Sequence, residues 1–336
     1  MVVATTVSRL PRSKMTGEVL DDRRKNGKPR PWKRYKWQSL EIAGAFQILG
    51  NDSLAERIAQ CGSRLEFAEC PNGHERKLVG ANFCRSRLCA MCSARRALLI
   101  GFQVRSVFHA ALLHVPGSRL IFLTLTMPNV SGDRIGAAIT DLYSAFQRLW
   151  RTVDVKKIAT GYFRALEVKY SKQRGDYHPH LHVLILVPGR YFEDWYIERQ
   201  RWVALWQRAT RNSLITQVDV RAVKPKTVGG DRLAGAAAEV SKYTVTAKDM
   251  IQSTPAETAR VVGHIHAGLK GRRLAQFGGL LSKLKKQLKL VDAEKASSKD
   301  LIAIGDDPSC RCLTCQAHLE VHVYCWLGGR NGDYVG

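Results

Sequence analysis

Two periodicities alternate along the chain. Apolar residues at every second position predict β-strands in "RLIFLTLTMPN" (119–129), "GYFRALEVKY" (161–170), "HPHLHVLILV" (178–187) and "TQVDVRAVKP" (216–225). Apolar residues three and four apart predict helices over 39–60, 94–115, 133–153, 191–211 and 231–250, and "GLKGRRLAQFGGLLSKLKKQLKL" (268–290) ends in a basic amphipathic helix. In 94–115, Leu98, Phe102, Arg105, Val107 and Ala110 fall roughly at helical spacing. In 191–211, Trp195, Trp202, Leu205 and Trp206 share one helical face, which assigns the tryptophans to a core rather than to base stacking. "SKQRGD" (171–176) is a turn that pairs the second strand with the third. Hairpins interleaved with helices predict an α+β fold on a mainly antiparallel sheet.

The ends carry different patterns. Residues 1–38 read as a basic, flexible arm in which "RRKNGKPRPWKRYKW" carries Trp32, Tyr35 and Trp37. The aromatics either stack on bases or dock on the core, and both readings stay open. Residues 39–97 form a helix plus a cysteine module, 98–290 the main domain, and 291–336 a polar linker with a Cys/His-rich tail. The formal net charge is +24 over 336 residues. That excess points to a polyanionic partner, nucleic acid first. An anionic membrane is the competitor, but no segment approaches the ~20 apolar residues of a span. "MVVATTVSRLPRSKM" lacks the apolar core of a signal peptide, so the chain reads as cytoplasmic.

Nine cysteines fall in two clusters. In a reducing compartment close-set cysteines bind metal more often than they pair as disulfides. The first cluster holds Cys61, Cys70, His74, Cys84, Cys89 and Cys92. Cys89 and Cys92 form a Cys-x-x-Cys knuckle of the kind tetrahedral zinc requires. Six candidates exceed four ligands; the favoured structural Zn²⁺ set is Cys70, Cys84, Cys89 and Cys92, with Cys61 and His74 as alternates. Arg85, Arg87, Arg95 and Arg96 beside it suit phosphate contacts. The tail holds Cys310, Cys312, Cys315 and Cys325, with His318 and His322, as a second zinc set of irregular spacing.

Within "YHPHLHVLILVP" (177–188), His180 and His182 point to one strand face, about 6.5–7 Å apart. They can converge on a divalent ion if a neighbour supplies a third ligand, and Glu167 on the preceding strand is the candidate. His178 nominally shares that face at the strand's entrance. Spacing alone is weak, because "GHIHAG" repeats it at His264 and His266 without a following strand. In "EVSKYTVTAKD" (239–249), Glu239 and Tyr243 lie one helical turn apart. A tyrosine can act as a nucleophile, and a carboxylate beside it can activate water. Thr124 and Thr126 share one strand face, predicted to lie near the metal site or else to pack in the core.

"FLTLTMPN" (122–129), "HPHLHVLILV" and "EVSKY" (239–243), in that order, resemble the HUH endonucleases. The closest likeness is to the single-tyrosine replication initiators of rolling-circle plasmids, over about residues 55–290. The resemblance implies an HUH-type central antiparallel sheet flanked by helices, with an N-terminal zinc-binding module. It implies His180 and His182 as ligands of a catalytic Mg²⁺ or Mn²⁺, Glu167 as the third, Tyr243 as the nucleophile and Glu239 as the carboxylate used at termination. A nicked origin strand would carry a 5′-phosphotyrosine, its 3′-OH would prime synthesis, and strand transfer would later terminate the round. Implied partners are plasmid origin DNA, single-stranded at the nick, a host helicase and a DNA polymerase; a homodimer stays open. The family pattern usually has a lysine three residues after the tyrosine. Here that residue is Thr246, with Lys242 and Lys248 flanking the tyrosine as DNA contacts. Two other readings remain. An HUH transposase of a rolling-circle insertion sequence would more often carry paired tyrosines. A non-catalytic zinc-stabilised DNA-binding regulator would leave the Tyr243–Glu239 spacing without a reason.

Overall fold

The computed structural model describes residues 17–24, 26–223, 233, 235, 237, 240, 247–305 and 309–336. Its contacts divide the chain into two compact units, Met1–Arg96 with Ile251–Ala259 and Lys295–Gly336, and Ala97–Met250 with Arg260–Glu294.

The first unit is organised on a four-stranded antiparallel sheet of order β2-β1-β8-β9, with β1 at Arg64–Glu69, β2 at Arg76–Ala81, β8 at Glu320–Leu327 and β9 at Asp333–Val335. Leu65 and Phe67 alternate with charged residues, so β1 buries one face. β1 pairs locally with β2 and also with β8, Glu69 opposite Glu320 and Arg64 opposite Cys325. The tail is therefore part of the sheet rather than an appendage. A helix spans Trp32–Ile48 and a second, Asp52–Gln60, is capped by the Asn51 side chain accepting from Leu54 N–H at 3.3 Å. These replace the single helix expected over 39–60. Trp32 is buried, its ring edge 6.0 Å from Phe67 and its indole N–H donating to Asp22 Oδ2 at 2.6 Å. Among the described residues of the 1–38 segment, Val19 bridges Val335 and Asp22 is buried beneath Trp32, since burying an indole with its N–H satisfied outweighs the solvation of the basic residues beside it. Trp37 stays exposed.

The second unit carries a five-stranded antiparallel sheet of order β6-β3-β5-β4-β7. Its strands are β3 (Arg119–Thr126), β4 (Gly161–Ser171), β5 (Asp176–Val187), β6 (Asp219–Ala222) and β7 (Ala275–Gly279). β4 and β5 form the hairpin expected around "SKQRGD", with Gly175 at φ 68° closing the turn. Every residue of β5 from Leu181 to Val187 is buried, as a central strand covered on both faces requires. Pro179 fits this central strand because β3 stops pairing at His180. Tyr177, of the same parity, directs its N–H to Val130 on the β3 side. The proline thus lacks a donor only where no ladder partner stands.

The helix Ile135–Trp150 covers the Tyr162 and Ile185 face, with Phe146 and Trp150 edge-on to Tyr162 at 4.9 and 4.4 Å. Trp202 and Trp206 are buried on the helix Arg199–Thr210, and Trp206 donates its indole N–H to the Thr126 carbonyl at 2.8 Å. Trp195 precedes that helix, so it does not share the expected face. β7 was hidden in the sequence because "AQFGG" lacks alternation. Its Gly278 lies opposite Tyr162, whose ring a Cβ would meet at 2.1 Å. The strand is thus specified by close approach rather than by hydrophobic pattern. Of the helix expected over 231–250, only Ala247–Met250 is a described run. One described helix, Ala90–His114, is long and apolar enough to cross a membrane, contrary to the expectation that no segment comes near. Its Val104, Val107, Phe108 and Ala111 are buried core residues.

Leu181→Ala is expected to destabilise the chain by about 2–5 kcal/mol, because a fully buried side chain leaves a cavity in a two-sided core. Leu113→Ala, 71% exposed, should change stability by no more than about 0.5 kcal/mol. Urea unfolding followed by tryptophan fluorescence compares the two.

Candidate metal centre and its surroundings

The ladder β4-β5-β3 decides which side chains meet. Glu167 pairs with His180, Ala165 and Thr124 both pair with His182, Thr126 pairs with His180, and Lys169 pairs with His178. Paired residues project to the same face, so Glu167, His178, His180, His182, Thr124 and Thr126 share one side of the sheet. Glu167 Oε2 lies 2.9 Å from His180 Nε2 and 2.7 Å from His182 Nε2. All three side chains are buried. Lys169 Nζ stands 3.8 Å from the other carboxylate oxygen.

The hydrogen bonds around these rings test whether the group suits a cation. The His178 carbonyl accepts from His180 Nδ1–H at 3.2 Å. In the neutral ring the proton is then on Nδ1, and Nε2 presents a lone pair. That lone pair faces a carboxylate oxygen, and two acceptors at this distance need a proton or a cation between them. Thr124 Oγ1 stands 3.4 Å from His182 Nδ1 and orients the second ring. Adjacent ligands of an octahedral ion at 2.0–2.1 Å are about 3 Å apart, close to the separations here. Burial pushes the Glu167 carboxyl up, but its close contacts with the His180 and His182 rings and the nearby Lys169 charge outweigh it and hold the group well below the usual carboxylate range. It is an anion at neutral pH. Burial, and the positive charge of Lys169 beside it, lower the basicity of His178. Its ring centroid is 5.3 Å from that of His180, at the edge of the group.

Two further groups of ligand atoms stand within 4.8 Å of one another, both in the first unit. Cys61, Cys84, Cys89 and Cys92 form one. Cys61 Sγ is 3.5 Å and Cys84 Sγ 3.7 Å from Cys92 Sγ, and the backbone N–H groups of Cys84, Arg85 and Ser86 point at these sulfurs. Cys61 thus stands where Cys70 was expected. The β1–β2 hairpin explains the exchange. Cys61 and Cys84 flank its open end, whereas Cys70 and His74 lie at its turn, five strand steps or roughly 17 Å away. The alternating "RLEFAE" was the signal, and it lay inside a stretch read only for cysteines. Cys70 and His74 stand instead beside Cys312 and Cys315. Cys325 cannot join them, because antiparallel pairing carries it to Arg64 at the opposite end of β1. Cys310 also lies outside the group. His264 and His266 belong to no such group among the described residues; His264 sits on the helix Pro255–Leu269, its Nδ1 3.0 Å from the Tyr177 hydroxyl.

The expected DNA contacts divide. Arg95 is buried and donates to the carbonyls of Leu301 and Ile302 at 2.7 and 2.8 Å, and Arg96, also buried, donates to the Arg85 carbonyl at 3.0 Å. Both guanidinium groups tie backbone together, so neither faces a phosphate. Arg85 is exposed and Arg87 half-exposed beside the four-cysteine group, and Lys248 is exposed on the short helix Ala247–Met250. Tyr243, Glu239 and Lys242 lie outside the described residues.

Replacing Glu167, His180 or His182 by alanine is expected to weaken Mn²⁺ binding by about 10–100-fold or more, since each removes a direct ligand. Lys169→Ala should leave the affinity within a few-fold. Isothermal titration of the chain with Mn²⁺ measures all four.

The family model Rep_1, described as Replication protein, matches residues 75–332. A protein called Protein rep from Streptococcus pneumoniae serotype 2 is 35% identical over 294 residues, 86% of this chain and 88% of that protein. Others of the same name from Lactiplantibacillus plantarum and Bacillus amyloliquefaciens are 34% and 32% identical, covering 86% of this chain and 91% and 90% of their own length. No solved structure matches at a significant level. With the match spanning both units and the relatives covered nearly end to end, the chain belongs to the Rep_1 family of replication proteins, as its resemblance to rolling-circle plasmid replication initiators implies.

Proposed function

We propose that the chain starts plasmid replication by cutting one strand of the origin in a metal-dependent reaction and remaining joined to the new 5′ end through Tyr243. The observation that carries this reading is the convergence of His180 Nε2 and His182 Nε2 on one oxygen of Glu167. Two nitrogens and a carboxylate, with the remaining positions free for water and phosphate, suit Mg²⁺ or Mn²⁺. A bound ion of this kind supplies Lewis-acid polarisation of a phosphate oxygen.

The chain's own residues do the rest. The Glu167 carboxylate and the two imidazoles are held by β4 and β5, so their geometry does not depend on a loop. The Tyr243 hydroxyl attacks the scissile phosphorus in line, the leaving 3′-oxygen takes up a proton, and the 3′-OH serves a host polymerase as primer. Glu239, four residues before Tyr243 in the sequence, activates water for the second cleavage that ends the round. A net charge of +24 favours binding to DNA, and exposed Arg85 and Lys248 and half-exposed Arg87 reach phosphates; Lys242 is assigned the same role by its place beside Tyr243 in the sequence. The origin is engaged as single-stranded DNA at the nick, where a host helicase would extend the opening. The group of Cys61, Cys84, Cys89 and Cys92 holds a structural Zn²⁺.

Incubation with single-stranded origin DNA and Mn²⁺ tests the reading. The wild type should give a covalent protein–DNA adduct on a denaturing gel, and Tyr243→Phe should lower its yield by about 10³-fold or more. An undiminished adduct in Tyr243→Phe reassigns the nucleophile, and no adduct in the wild type refutes cleavage through a tyrosine. Glu239→Ala should form the adduct normally and fail in the second cleavage. Equal loss of both steps would contradict the division of roles.

A further inference from the structure

The first unit contains a second sulfur-rich group whose members come from opposite ends of the chain. Cys70 and His74 flank the tight turn between β1 and β2, where Gly73 adopts φ 72° and its N–H donates to the Cys70 carbonyl at 2.8 Å. Cys312 and Cys315 belong to a second tight turn just before β8. There the N–H of Gln316 donates to the Cys312 carbonyl at 2.9 Å, and Gln316 itself adopts φ 61°. Two turns, each carrying a ligand pair, face one another across 237 or more intervening residues.

We propose that Cys70, His74, Cys312 and Cys315 form a second tetrahedral zinc site that fastens the C-terminal strands to the N-terminal hairpin.

The distances carry the ligand class. Cys70 Sγ lies 3.5 Å from Cys315 Sγ and 3.7 Å from His74 Nδ1, and Cys312 Sγ lies 3.9 Å from the same nitrogen. Ligands at Zn–S ~2.3 Å and Zn–N ~2.0–2.1 Å in a tetrahedron stand about 3.5–3.8 Å apart, so these three separations are close to edges of that figure, and all four atoms lie within 4.8 Å of one another. A disulfide needs a sulfur separation of about 2.05 Å, which no pair here approaches. The donors around the sulfurs favour thiolates. Asn72 Nδ2 donates to Cys315 Sγ at 3.4 Å, and Thr314 N–H donates to Cys312 Sγ at 3.4 Å. Cys70 and Cys312 are buried in a small apolar cluster with Ala68 and Leu319, while His74 is exposed and Cys315 half-buried, so the group sits at the edge of that cluster. Three thiolates and an imidazole select a soft, tetrahedral ion over Mg²⁺ or Mn²⁺, so this site and the Glu167 group take different metals.

Its consequence is mechanical. β8 meets β1 along six paired residues, and the ion would clamp the end of that ladder where Glu69 faces Glu320. A cross-link between segments so far apart in sequence restricts the unfolded chain most, as with a disulfide that closes a long loop. Without it the β8–β9 pair is joined to the rest of the sheet only through the β1–β8 ladder.

Native mass spectrometry of the full chain, loaded with Zn²⁺ and desalted, reads the site as a difference in metal count. Cys312→Ser and Cys315→Ser should each bind one zinc fewer than the wild type, and Cys310→Ser and Cys325→Ser the same number. His74→Cys keeps four ligands, so it should retain the full count while its Co²⁺ derivative shifts toward a four-thiolate spectrum; this variant decides the matter if the serine variants do not fold. Limited proteolysis should cut the 303–319 region at least tenfold faster in Cys315→Ser than in Cys310→Ser. The proposal is overturned by an unchanged count in both serine variants, by a Co²⁺ spectrum indifferent to His74→Cys, or by a wild-type mass two hydrogens low from a Cys70–Cys315 disulfide. None of these readouts involves DNA cleavage, so the outcome is independent of the nicking reaction.

Discussion

The antiparallel register between β4 and β5 is the constraint on which the proposed chemistry depends. It sets Glu167 opposite His180 and Ala165 opposite His182, so that one carboxylate oxygen reaches both rings past a residue too small to intervene. A slip of one residue would turn every side chain to the other face and separate the carboxylate from the imidazoles. The slip is opposed by apolar residues on both faces of β5, from Leu181 to Val187, and by a turn closed at Gly175. The core of the second unit and its metal group are therefore two readings of one hairpin. Moving a histidine would cost burial, and moving a core residue would displace a ligand.

The first unit uses the same principle with a different result. β1 sets the separation between two groups of ligands, because Cys61 precedes it and Cys70 follows it. Pairing with β8 then distributes the tail, bringing Cys312 and Cys315 to the Cys70 end and Cys325 to the other. Spacing in sequence says which cysteines are near along the chain. Only the strand pairing says which are near in space, and here the two disagree for Cys70.

Much of the second unit was legible beforehand. β3, β4 and β5 were readable because their alternation is long and their connection short, and Glu167 was found because a hairpin turn fixes which residue faces His180. What escaped had weak local signals. β7 is Gly-rich and is specified by its approach to Tyr162. Arg95 and Arg96 look like phosphate ligands in sequence, yet tertiary packing turns them toward backbone carbonyls. β8 lies in a tail whose histidines and cysteines mask the alternation of Val321 and Val323, and its partner strand β1 precedes it by more than 250 residues, Glu69 pairing with Glu320. Non-local pairing is where a one-dimensional pattern carries least information.

The central claim is that Glu167, His180 and His182 hold one divalent ion at the reacting phosphate. Pulsed electron paramagnetic resonance of Mn²⁺ bound to the chain labelled with ¹⁵N-histidine tests it most directly. The account predicts nitrogen couplings from two directly coordinated imidazoles, reduced to one in either His180→Ala or His182→Ala and unaffected by His264→Ala. A spectrum with no directly bound histidine nitrogen, or couplings that persist unchanged when both His180 and His182 are replaced, would contradict it.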